Sequence, residues 1–216
     1  MPAFSTDALR SLINDIAQAA GTPPDLSAML AGSLVAANLA GHDSHGVLRM
    51  PSYCGAIDKG DIIPGERAEL ISERRATAKV DGRWGWGQPA MHLATDAAIE
   101  RARTYGIGSA IVLNCYHIGR AAPYVEKVAR NGMVGLIMAN AGAAVAPYGG
   151  RERVMGTNPM AWALPRSEGT PPLSFDIATA GIAEGKIRVA LSKDLPIAEG
   201  LVVTSDGKPT TNPADF

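Results

Sequence analysis

The run His42-Asp43-Ser44-His45-Gly46-Val47-Leu48-Arg49, with Tyr53 close behind, gathers imidazole, hydroxyl and guanidinium groups in one short stretch. Hydride transfer to or from an alcohol needs a group that exchanges the hydroxyl proton, and histidine titrates in the right range. A small acid substrate also needs a cation, and arginine grips a carboxylate through two parallel N–H bonds. His45 and Arg49 are four positions apart, so a helix would set them on one face. Ser44 can orient the imidazole or bond the substrate. The same residues also suit a capped turn with a solvated arginine.

Three further stretches carry chemistry. Asn114-Cys115-Tyr116-His117-Ile118-Gly119 follows an apolar run, which puts His117 just beyond the carboxyl end of a strand, the usual place for site residues in α/β proteins. His117 therefore rivals His45 as the proton-exchanging group, although a histidine bonded to nearby backbone would read alike. Gly156-Thr157-Asn158-Pro159, with Asn140-Ala141-Gly142 and Pro147-Tyr148-Gly149-Gly150 upstream, offers small residues that let backbone amides approach a phosphate or ribose. Plain tight turns have the same composition. Phe175-Asp176-Ile177-Ala178-Thr179, with Lys186 beyond, reads as a strand, an acid and a helix start. There the Asp can bond a ribose hydroxyl and the helix end favours phosphate. A capping Asp and a solvated Lys are the alternative. His92, alone on an expected helix, reads as structural or solvated.

These residues need elements to hold them. Ser5 or Thr6 caps an expected first helix that Gly21 ends, and a second begins at Asp25 or Ser27 and stops at Gly41. A short third helix runs from about Pro51 to Gly60. Leu70 to Asp81 reads as a strand, Pro89 to about Tyr105 as a long helix, and Gly108–Asn114 as a short buried strand. Tyr124–Arg130 reads as a helix, Gly132–Met138 as another buried strand, Met160–Leu164 and Leu173–Phe175 as strands, and Thr179–Ser192 as a helix. Helices thus give way to strands between about 65 and 75. The end, Leu201–Phe216, is rich in turn signals, which leads us to expect more polypeptide after it in the parent protein.

The 216 residues are 46% hydrophobic and 19% charged, with a net charge of -1, an ordinary globular profile. No Lys- or Arg-rich run suits nucleic acid or an anionic membrane. No apolar run of about 18 residues or more could span a bilayer. Two isolated thiols, Cys54 and Cys115, fit a reducing compartment, so a cytoplasmic setting is expected. The few histidines lack ligand spacing such as HExxH, which leaves a metal-dependent hydrolase a distant reading. No GxGxxG opens a βαβ unit. The run Gly82-Arg83-Trp84-Gly85-Trp86-Gly87 has the wrong spacing for that fingerprint.

Seven stretches in order resemble the non-Rossmann malate/L-lactate dehydrogenase family, which also holds ureidoglycolate, sulfolactate, diketogulonate and piperideine-2-carboxylate oxidoreductases. They are 41–53, 80–90, 114–120, 145–150, 155–165, 175–187 and 206–213. The resemblance implies an α/β (α+β) fold: a helical domain over 1–70, then a nicotinamide-binding domain over 71–216 with a largely antiparallel sheet. It implies hydride transfer between NAD or NADP and a small 2-oxo or 2-hydroxy acid or a cyclic imine acid, by a homodimer or higher homo-oligomer. The proton-exchanging role falls on His45 with Ser44, or on His117 as in the ureidoglycolate branch, and substrate binding on Arg49 and Tyr53. Cofactor contacts fall on Asn140, Ala141, Thr157, Asn158, Asp176, Ile177, Ala178, Thr179 and Lys186. The family continues past the 206–213 stretch into a cofactor-contacting segment and helices that complete the first domain. This makes a truncated, non-catalytic relative the alternative reading. Ile118 and Ala180-Gly181 depart from the aromatic and serine common in the family.

Overall fold

Residues 4–216 are described by the computed structural model. Helix α1 (Thr6–Ala19) starts at Ser5, whose hydroxyl accepts the Ala8 N–H at 3.2 Å. Helix α2 (Pro24–Leu39) opens on proline, whose fixed φ and missing N–H suit a first helical position. Ser27 donates to Asn14 at 2.6 Å and locks the two helices together. Ile13, Leu26, Leu30 and Leu34 bury one core with Met50 and Tyr53 of α3 (Met50–Asp58), and Ile62 and Trp86 close it.

Between α2 and α3 the expected helical step from His45 to Arg49 is absent. Two 3-10 turns, Asp43–His45 and Val47–Arg49, are broken by an extended Gly46. The two residues are brought together by a kink rather than by helical spacing.

The expected strand over 70–81 is a hairpin, β1 (Glu69–Arg74) and β2 (Thr77–Asp81), turned through a left-handed Arg75 at φ 45°. Helix α4 (Gly87–Tyr105) then crosses back so that β3 (Ser109–Leu113) pairs parallel with β2. A second sheet, in the order β4 (Gly135–Met138), β5 (Met160–Leu164), β6 (Leu173–Ile177), is antiparallel throughout. Helix α5 (Ala122–Arg130) packs Val125 and Ala129 on its Ala161–Ala163 face. Helix α6 (Glu184–Ser192) and a small hairpin, β7 (Val202–Val203) and β8 (Pro209–Thr210), complete the described chain. The fold is therefore α/β, with helices leading into a largely antiparallel strand-rich part.

Two strand expectations need correction. β3 and β4 are not buried: both are sheet edges, and Ile111, Leu136 and Met138 are 56%, 61% and 68% exposed. An unbroken apolar run looks the same whether one or both faces are covered. The helix expected from Thr179 begins only at Glu184. The Thr179 N–H donates to Thr157 O at 2.9 Å, so its bonding is spent on a neighbouring loop rather than on a helix.

The glycine-rich run at 82–87 serves close packing. A Cβ on Gly82 would lie 2.7 Å from that of Cys115, and one on Gly87 would lie 2.4 Å from Tyr116 O and 2.6 Å from His117 O. These glycines let the start of α4 press against the backbone that carries His117.

Candidate active site

His45 and His117 arrive from opposite directions. His45 ends the first 3-10 turn after α2, and His117 sits in the segment after β3. Their ring centroids lie 5.4 Å apart.

The His45 turn is held from behind by Asn38, near the end of α2. Its Oδ1 accepts the Val47 N–H at 2.9 Å, and its Nδ2 donates to Asp43 Oδ1 at 2.5 Å. A Cβ on Gly46 would fall 2.2 Å from Asn38 Oδ1, so the glycine makes this clamp possible. Ser44 Oγ lies 3.0 Å from His45 Nδ1, which leaves Nε2 as the nitrogen free to exchange a proton. Arg49 donates from Nε to Ser44 O at 2.6 Å, tying the cation to the same turn.

His117 is held differently. Its Nδ1 is 2.7 Å from Tyr53 Oη and 3.4 Å from the Gly119 N–H. Tyr53 is 2% exposed and wedged edge-on against Trp86 and Tyr116. Burial pushes its phenol up to about 12, so it is a neutral hydroxyl at pH 7. Gln88 Nε2 donates to Tyr53 Oη at 3.4 Å, while its buried Oε1 has no partner.

Both imidazoles are neutral at pH 7. Burial first, then the charges of Arg49 and His42, lowers His45 to about 4 against an opposing pull from Asp176. Burial, Arg49 and His45 lower His117 to about 3. A neutral imidazole is ready to accept a proton. An anion seated on Arg49 would cancel part of the opposing charge and raise both values.

The residues expected to hold a cofactor gather at one end of the second sheet, where Met138, Met160 and Ile177 are paired in register. Asn140 and Ala141 leave β4, Thr157 and Asn158 lead into β5, and Ile177, Ala178 and Thr179 end β6. Asn158 Oδ1 accepts the Ala141 N–H at 3.1 Å, and Thr179 Oγ1 donates to Asn158 O at 3.0 Å. A Cβ on Gly156 would lie 2.3 Å from Ala141 O, so glycine lets these loops close into a ridge. Asn140, Ala141 and Thr179 face solvent.

Asp176 stands between ridge and cleft. Its Oδ2 accepts the Ala122 N–H at 2.8 Å, at the positive start of α5. Asp176 thus caps α5 and not the helix that follows it, whose start has no side-chain cap, and its second carboxylate oxygen is left over. Lys186 is exposed on α6. Its neighbour Gly185 packs so tightly on the first 3-10 turn that a Cβ there would lie 2.5 Å from that of Ser44. The helix end expected to seat a phosphate starts later than expected, and its first turn carries Glu184, bonded to Arg188 at 2.8 Å. That acid opposes an anion at this end.

The structure thus brings Ser44, His45, Arg49, Tyr53 and His117 into one cleft, with most of the other candidates on the ridge beside it. Sequence reasoning missed Asn38, Gln88, Gly185 and Arg120, whose buried Nε has no partner and whose charge presses on His45. A polar residue on an apolar helix stretch was the available signal for Asn38, and the adjoining glycines were the signal for Gln88. His92 packs edge-on against Tyr124 at 5.3 Å. No helix among the described residues is long and apolar enough to cross a membrane.

Comparison with known proteins gives one family. Residues 4–216 match malate/L-lactate dehydrogenase. The L-sulfolactate dehydrogenase of Methanocaldococcus jannaschii is 40% identical over 205 residues, covering 95% of this chain and 59% of that protein. Hydroxycarboxylate dehydrogenase B of Escherichia coli O157:H7 is 37% identical over 213 residues, or 98% of this chain and 59% of that one. The structure of delta1-piperideine-2-carboxylate reductase from Pseudomonas syringae superposes with a TM-score of 0.93 at 32% identity, covering 100% of this chain and 64% of that one. The chain therefore spans less than two thirds of the length of these relatives.

Proposed function

The chain belongs to the malate/L-lactate dehydrogenase family, and from that premise we propose that it serves an oxidoreductase moving hydride between NAD or NADP and a small acid. The substrate is a 2-oxo or 2-hydroxy acid, or a cyclic imine acid. The observation that carries this reading is the neutral His45–His117 pair, 5.4 Å apart, with Arg49 bonded into the same turn. Acid recognition and proton exchange need these groups side by side.

Arg49 holds the substrate carboxylate. In the oxidative direction neutral His45 takes the hydroxyl proton at Nε2, with Ser44 fixing the ring through Nδ1. In reduction the protonated ring returns it to the oxygen or nitrogen. Such acid–base assistance contributes roughly 10²–10⁴-fold. His117 lines the other side, and Tyr53 bears on the substrate through it.

The ridge fits a dinucleotide. It exposes Asn140, Ala141 and Thr179 to solvent, offering backbone groups and small polar side chains. Asn140, Ala141, Thr157, Asn158, Ile177, Ala178 and Thr179 would hold the cofactor, with the free oxygen of Asp176 on a ribose hydroxyl and Lys186 beside a phosphate. A nicotinamide held there would supply the acceptor or donor for a hydride at the substrate's C2. Residues 1–70 then form the substrate-side helical domain and 71–216 the nicotinamide-binding domain. The family resemblance supports a homodimer or higher homo-oligomer, and the isolated thiols support a cytoplasmic setting. The intact histidine pair favours a working enzyme over a non-catalytic relative.

The test is oxidation of NADH and NADPH by the full-length protein with a panel of 2-oxo acids and cyclic imine acids, each beside its carboxylate-free analogue. Turnover confined to the acids is expected. A panel with no substrate, or equal turnover of the analogues, would overturn the reading.

A further inference from the structure

Two neutral histidines in one cleft cannot usefully play the same part. Each imidazole presents either a donor or an acceptor at its free nitrogen, according to which nitrogen carries the proton. For His117 the surroundings make the choice. The Gly119 N–H can only donate, and it points at Nδ1 from 3.4 Å. Tyr53 Oη is 2.7 Å from the same nitrogen and receives an N–H from Gln88 at 3.4 Å. An Nδ1–H would meet the Gly119 N–H head-on, so Nδ1 is the acceptor and the phenol, itself receiving from Gln88, gives its proton there. Nδ1 thus faces two donors and must itself be bare, so the proton of the neutral ring sits on Nε2.

These donors are not solvent groups that could reorient at no cost. Tyr53 is 2% exposed and Gln88 is fully buried. Gln88 is a costly residue to bury, because its Oε1 goes without a partner. Packing alone gives no reason for a polar side chain there. Orienting the Tyr53 hydroxyl does. The glycine at 87 sets the neighbouring backbone against His117 O, so the donor relay and the ring share one rigid support.

We propose that Gln88 and Tyr53 are positioning residues that hold His117 as the Nε2–H tautomer, making it a fixed hydrogen-bond donor to the substrate oxygen or nitrogen while His45 exchanges the proton. The catalytic part of this inference rests on the functional reading above; the tautomer itself does not. It divides the labour between the two histidines: His117 steadies developing negative charge, and His45 changes protonation state.

The experiment reads ¹⁵N shifts of the His117 ring in the full-length protein at neutral pH, without ligand, in wild type, Tyr53→Phe and Gln88→Met. Wild type is expected to show the Nε2–H form. Tyr53→Phe keeps the ring against Trp86, loses the stronger donor and drifts to a mixture; Gln88→Met drifts less. Where a histidine's tautomer is held by a carboxylate, losing that control costs up to about 10⁴ in rate. Here the Gly119 N–H remains, so kcat on an accepted acid should fall about 10- to 100-fold while KM stays within about twofold. An Nδ1–H form in wild type would overturn the proposal. So would an unchanged tautomer in Tyr53→Phe or, if that variant does not fold, in Gln88→Met. A shifted tautomer with unchanged kcat would overturn the catalytic half. Failure of wild type to turn over any acid would sink the functional reading and leave the tautomer result standing.

Discussion

The cleft and the ridge lie side by side but are built on opposite principles. The cleft sets half-buried Ser44, His45, Arg49 and His117 around the buried Tyr53. Tyr53 belongs to the first core, and its hydroxyl meets Gln88 as well as His117, whose Nδ1 also meets the Gly119 N–H. The ridge is made largely of exposed backbone, with loops knitted by Thr157 O, Asn158 and Thr179. Proton exchange depends on a nitrogen whose protonation state is controlled, and control requires removal from water. A large, many-handled ligand can instead be held by many weak contacts along an edge, where exposure costs little.

The sharpest way to break this contrast is His45→Ala. Turnover should fall by roughly 10²–10⁴-fold while dinucleotide affinity, read by isothermal titration, stays unchanged. Equal losses in both would mean that cleft and ridge are one unit.

The next largest effect is on stability against pH. His45 and His117 titrate in the folded chain at about 4 and about 3, below their ordinary 6.5. The unfolded chain therefore binds more protons as pH falls below about 6.5. Stability is full above that value and is lost towards pH 3, at up to about 1.4 kcal/mol for each pH unit and group. Chemical denaturation between pH 7 and 4 should show this slope, and His117→Asn should flatten it. A wild-type profile as flat as the variant's would mean the cleft is no drier than the ridge.

The smallest effect belongs to the ridge. Gly156→Ala would push a methyl onto Ala141 O. Overpacking of this kind costs about 1–3 kcal/mol. Dinucleotide affinity should drop by roughly tenfold with the His117 ring shifts unmoved. A disturbed His117 signal would show that the ridge braces the cleft.

The same contrast explains what was legible in the sequence. Ser5 and the apolar spacing of α1 and α2 act locally, so those helices could be read directly, with α2 opening at Pro24 just ahead of the expected Asp25 or Ser27. The cleft residues were legible as motifs because reactive side chains in short runs are rare. The roles within the cleft were not. The family resemblance implies Tyr53 as a substrate ligand, and nothing in its surroundings in sequence shows that its hydroxyl meets His117, which is 64 positions away. Gln88 and Asn38 carry no motif, and their importance lies in what they touch. Along the ridge, the start of α6 was misplaced because Thr179 bonds a loop distant in sequence. Long-range hydrogen bonds of this kind leave no periodic trace.

Gly185 on α6 lies where even one added methyl group would strike Ser44. Over evolutionary time those two positions cannot drift independently. A lineage that gains bulk at 185 must give it up at 44 or let α6 slide away. Homologues should therefore keep small residues at both places or exchange size between them. That signature would let natural variation report on a contact that neither stretch of sequence reveals alone.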